Sequence, residues 1–155
     1  MGYTLEAMVG RSHRFTPVPE WIADSVVIPL RWDIRLLPMT FALLDALPPA
    51  AEAEGAPPGE GWGFRFMDAS VVAVCKDLSS SGPVAYVEAD FFGGFGEQPV
   101  MVWREGQLIL ASKLDGIGPI NEALRLLGVR RSETSDEFAA VGLGRFRSTE
   151  DRLTG

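Results

Sequence analysis

Residues 83–111 alternate extended apolar runs with glycine turns too short for anything but direct reversal. PVAYVEADFF runs into Gly93, Gly94 and Gly96, and Gly106 separates VMVWRE from QLILA. Parallel strands need a crossover of about a dozen residues or more, so connections this tight make neighbouring strands pair antiparallel. The segment therefore predicts a three-strand meander over 84–92, 100–105 and 107–111, around which the rest of the chain must pack.

Elsewhere the hydrophobic period assigns the elements. Tyr3, Leu5, Ala7 and Val9 alternate with Thr4, Glu6 and Met8, the period of a strand. A β-branched run at 26–28 is confined to an edge or strand end by Pro29. Leu30, Trp32, Ile34 and Leu36 alternate with Arg31, Asp33 and Arg35, predicting a half-buried strand over 30–36. Thr40 is a natural N-cap for a helix over 41–47, stopped by Pro48 and Pro49. The stretch 48–61, PPAAEAEGAPPGEG, reads as a mobile acidic surface loop, and 63–66 as a short strand.

Val71, Val74, Cys75 and Leu78 recur at helical spacing over 69–79. A second helix starts at Pro119, buries Ile120, Ala123, Leu124 and Leu127, and stops at Gly128. A short helical piece is expected near Phe138. The resulting order, β-β-β-α-α-β-β-β-α, predicts a single α+β domain over 1–155, a mainly antiparallel sheet with helices packed on it.

A chain of 155 residues with 46% hydrophobic content can bury a sizeable core. Its formal charge of −7 opposes sequence-independent nucleic-acid binding and favours encounter with a basic partner. Cys75 is the single cysteine and His13 the single histidine, so one chain can form neither a disulfide nor a Cys/His zinc site. MGYTLEAMVG lacks a basic lead, and no apolar run approaches the roughly 18 residues of a membrane span. These features predict a cytoplasmic protein that does not engage a membrane.

The candidate site is the acidic hairpin. Alternation places Tyr86, Glu88 and Asp90 on one face of their strand, with Phe95, Glu97 and Gln98 around the turn that follows. Such carboxylates can dock an arginine-rich partner, hold a hard cation, or form a general acid/base pair. A solvated sheet face is the plain structural alternative. Docking is the functional reading we favour, because no nucleophile or second acid/base partner accompanies the acids. Trp62, beside the 48–61 loop, is the tryptophan expected to be exposed for contact; Trp21, Trp32 and Trp103 read as core or half-buried anchors.

No catalytic residue, metal site or cofactor is assigned. FGGFGEQ lacks the Lys-Ser/Thr of a phosphate loop, and a strand follows where a dinucleotide fold needs a helix. His13 reads as a surface histidine, Cys75 as an inert core thiol, and Ser79, Ser80 and Ser81 as a helix terminus. Arg130, Arg131, Arg145, Arg147 and Arg152 share their segment with enough acids to serve as ion-pair partners. Two alternatives stay beside docking: a small metal-assisted hydrolase using Glu88, Asp90 and Glu97, and a structural homodimer joined through the edge of the meander.

GYTLEAMVG, GPVAYVEADFFGGFGEQPVMVW and VGLGRFRSTED together resemble a group of uncharacterised small bacterial proteins. The acidic single-domain character is also similar to that of immunity proteins, which neutralise toxins by binding them. That similarity implies a binding role and assigns no residue.

Overall fold

The computed structural model describes residues 2–11, 27–40, 43, 45, 69–92, 95–112, 118–130, 132–134 and 136–143. Among the described residues seven strands form one sheet: β1 (Gly2–Arg11), β2 (Ile28–Pro29), β3 (Ile34–Pro38), β4 (Val84–Phe92), β5 (Phe95–Glu97), β6 (Val100–Arg104) and β7 (Gln107–Ser112). Their order is β2-β3-β1-β4-β6-β7, with β5 on the far half of β4, and every pairing is antiparallel. Helices α1 (Ala69–Leu78), α2 (Gly118–Leu126) and α3 (Glu137–Val141) pack against it, so the α+β expectation holds. Among the described residues no helix is long and apolar enough to cross a membrane.

The meander forms as its turns dictate. Glu105 and Gly106 reverse β6 into β7 with φ of 52° and 77°. Both values are positive, as a two-residue turn that matches strand twist requires. Between β5 and β6 the ladder is interrupted at Gln98 and Pro99, yet the Glu88 amide donates to the Pro99 carbonyl at 3.0 Å and keeps the hairpin joined. The register of β6 with β7 shifts between Val102 and Trp103, leaving Ile109 as a bulged residue on the edge strand.

Alternation then divides the core in two. Leu5, Ala7, Val9, Ala85, Val87, Ala89, Val100 and Val102 face α2 and α3. Met8, Leu37, Val84, Tyr86, Met101 and Trp103 face α1, whose Val71, Val72, Val74 and Cys75 cover them. Thr40 acts as the expected N-cap: its Oγ1 accepts from the Leu43 amide at 3.1 Å, and Leu43 joins the α1-side core. A 3-10 turn, Ser79–Ser81, ends α1 and binds the β6–β7 reversal. There the Ser79 carbonyl accepts from Glu105 N at 2.8 Å and its Oγ from Gly106 N at 3.0 Å.

One expected strand is shorter. β3 begins at Ile34, because Trp32 and Asp33 take φ of 66° and 59° and turn the chain between β2 and β3. Alternation continued through this turn by coincidence of residue type. Trp32 is consequently 45% exposed instead of anchoring the core, whereas Trp103 is 1% exposed as expected. The 48–61 loop, the 63–66 strand, His13, Trp21, Trp62, Arg131, Arg145, Arg147 and Arg152 lie outside the described residues, as does the 41–47 helix apart from Leu43 and Asp45.

Candidate functional site

β4 runs through the middle of the sheet, with β1 on one side and β5 and β6 on the other. Its even positions face α1, which puts Tyr86, Glu88 and Asp90 in one row, as alternation predicts. Pairing adds acids the sequence could not align. Glu6 of β1 stands opposite Glu88, and Thr4 opposite Asp90. Asp90 is in turn opposite Glu97 of β5. The two acidic pairs lie two positions apart on β4, one in its ladder with β1 and the other in its ladder with β5; like charges directly opposite each other weaken a sheet.

Burial separates the row. Tyr86 is 0% exposed and Glu88 5%, whereas Asp90 is exposed. Glu6 is also buried, at 8%. Neither Tyr86 nor Glu88 can therefore serve as surface contact, and the outward-facing acid of the described site is Asp90. The side chains of Phe95 and Glu97 and the whole of Trp62 lie outside the described residues.

The buried part is a charge-assisted hydrogen bond. The Tyr86 hydroxyl donates to Glu88 Oε2 at 2.6 Å, a short contact of the kind expected between a hydroxyl and an ionised carboxylate. Burial first, then the charge and hydrogen bond of Glu88, with lesser contributions from Cys75 and Glu6, hold the Tyr86 phenol well above its ordinary range. Burial alone likewise pushes the Cys75 thiol far up, matching its expected place in the core. Both groups stay protonated at neutral pH and are unsuited to act as nucleophiles there. Glu6, Glu88 and Thr4 each make further polar or electrostatic contacts.

Gln98, expected at the binding surface, is fully buried. Its Oε1 accepts from the Ile120 amide at 3.3 Å and so ties the hairpin to the first turn of α2, while its Nε2 has no hydrogen-bond partner among the described residues. Its role in the described structure is to position a helix. Among the described residues no group of three or more His, Cys, Asp or Glu side chains is placed to hold a metal ion. Glu88, one of the three ligands of that alternative, accepts a hydrogen bond from Tyr86.

The arrangement thus offers a buried Tyr86–Glu88 hydrogen bond, with buried Glu6 opposite Glu88, and an outward carboxylate at Asp90. Chemically it can attract and orient a cation at Asp90. Searches against protein-family models, curated proteins and solved structures returned no match.

Proposed function

We propose that the chain is a non-catalytic, cytoplasmic binding protein, immunity-like in mode, that recognises a basic protein partner through the open end of the β4–β5 hairpin. One observation carries this reading: exposed Asp90 sits in register with Glu97, one step along from the Glu6–Glu88 pair. Negative charge is concentrated at one end of a sheet in a chain whose net charge is already −7. Clustered charge of one sign raises the encounter rate with an oppositely charged partner and fixes its orientation. In this reading Asp90 and Glu97 bind the partner's cations, Phe95 and Trp62 add contact area, and Glu6 and Glu88 strengthen the field from below.

The test is capture from the native host's lysate by the wild-type chain and by an Asp90→Arg/Glu97→Arg variant. A basic protein retained by the first, released by raised salt and held at least about tenfold more weakly by the second supports the reading. Equal retention by both removes the site from this face. Glu88 is left unchanged because a buried reversal would unfold the protein and confuse the two causes.

A further inference from the structure

We infer that the cleft between the end of α2 and the start of α3 binds the phosphate group of a small phosphomonoester. Arg125, Gly128, Val129, Arg130 and Glu137 line an open cavity of about 560 Å³ there, a volume suited to a small molecule. Arg11, against Gly128, borders it. The cleft lies away from the acidic hairpin: Arg11 pairs with Ile34 at the end of β1, whereas Asp90 pairs with Thr4 near its start.

Charge sets this cavity apart. The chain carries −7 overall, yet three guanidinium groups gather here against one carboxylate. Arg125 Nε and Nη2 both lie 3.2 Å from Glu137 Oε1, and Glu137 is 1% exposed, so these two charges cancel. Arg11 and Arg130 have no carboxylate partner among the described residues, which leaves two positive charges in excess.

Cations near a helix C-terminus ordinarily answer its unpaired carbonyls. At the end of α2 the backbone already meets several of them. Leu127 N donates to Ala123 O and Leu124 O, Gly128 N to Arg125 O, and Val129 N to Leu124 O. Arg11 Nη1 donates to Leu127 O at 3.2 Å, and Arg130 bonds none of these groups. Two of the three guanidinium groups are thus fixed in place, Arg125 by Glu137 and Arg11 by Leu127 O, which lowers the cost of ordering them on a ligand. Gly128 makes the room: a side chain there would begin 2.9 Å from Arg11 Nη1.

The excess charge selects the ligand. A phosphomonoester is close to a dianion at neutral pH and balances both Arg11 and Arg130, whereas a carboxylate balances one. Its oxygens also accept the paired N–H groups that a guanidinium presents. The acidic chain repels anions at long range, so directed hydrogen bonds must supply the affinity. None of this rests on the partner proposed for Asp90.

The experiment titrates the full chain with inorganic phosphate and with phenyl phosphate at constant ionic strength, following backbone amides by NMR. Wild type is compared with Arg130→Gln, Arg11→Gln and Arg104→Gln. Arg104 is exposed at the end of β6 and does not line the cavity. Arg125 is left in place, because its loss would strand buried Glu137. The expected result is saturable shifts at the Gly128 and Val129 amides, weakened about tenfold by either cavity variant and unchanged by Arg104→Gln. Exposed Arg130 keeps the test decisive if Arg11→Gln disturbs the fold. Absence of saturation with both phosphates, or equal weakening by Arg104→Gln, overturns the inference and leaves the arginines as companions of the helix end.

Discussion

Glu88 occupies a position where an acid is expensive: 5% exposed, on a central strand, opposite another buried glutamate. The Tyr86 hydroxyl, at 2.6 Å, offsets part of that cost. Tyr86→Phe removes the donor and leaves a buried carboxylate short of a partner, which costs about 1–3 kcal/mol. The same variant changes the alkaline limb of stability. In the folded chain the phenol stays protonated above its ordinary value of 10.0, while in the unfolded chain it ionises there. The folded state then binds more protons than the unfolded, so stability is full below pH 10 and falls as pH climbs beyond it. Tyr86→Phe should be less stable at neutral pH yet lose less on the alkaline side, measured by urea unfolding across pH. A slope equal to that of the wild type would show that Tyr86 ionises normally in the fold. Alternation alone places Tyr86, Glu88 and Asp90 in one row, but it says nothing of depth. Depth depends on what packs beside the row, and β1, which pairs with it, lies roughly 80 positions away in sequence (Glu6 opposite Glu88). Gln98 shows the same limit, since its partner Ile120 lies 22 positions away.

Local signals were enough wherever an element is defined by its own residues. The end of α2 is an example. Gly128 N donates to Arg125 O and Val129 N to Leu124 O, each at 3.0 Å, while Gly128 adopts φ of 102°. This paired closure of the last turn is what a glycine after a helix permits, and Leu124 and Val129 meet in the core beside it. The structure adds Arg11, whose Nη1 donates to Leu127 O at 3.2 Å and lies 2.9 Å from where a Gly128 side chain would begin. Gly128→Ala therefore combines a left-handed alanine with displacement of the Arg11 guanidinium. We expect a loss of about 1–2 kcal/mol in urea unfolding, most of it backbone strain. An Arg11→Ala background should recover only the smaller, guanidinium part. Full recovery would assign the cost to Arg11 instead. The β2–β3 turn is the converse case. Trp32 and Asp33 carry no glycine or asparagine to announce a reversal, so their alternation with Leu30 and Ile34 reads as strand.

At the scale of the molecule, the sheet is held together by its least local pairing. The β4-β6-β7 meander closes through short turns and is readable from sequence, whereas β1 joins β4 through nine registered pairs between opposite halves of the chain. β1 also pairs with β3 and supplies both cores: Leu5, Ala7 and Val9 to one side, Met8 to the other. The period-two pattern marks β1 as a strand, but its central place depends on partners that no local window contains. Its importance follows from that place. A central strand has ladder bonds on both edges and packing on both faces, so its loss exposes β4 and β3 together and leaves α1 and α2 without a complete platform. We therefore expect a chain beginning at Ser12 to lose its cooperative urea transition and the near-ultraviolet signal of Trp103, instead of melting as a smaller stable domain. A synthetic peptide of residues 2–11, supplied in trans, should restore both, because β4 and β3 retain the edges and apolar rows that receive it. A cooperative transition without β1 would place the stable nucleus in the meander and its helices. Failure of the peptide to rescue would mean that β1 must be in place during folding, when the slow non-local pairing with β4 is made.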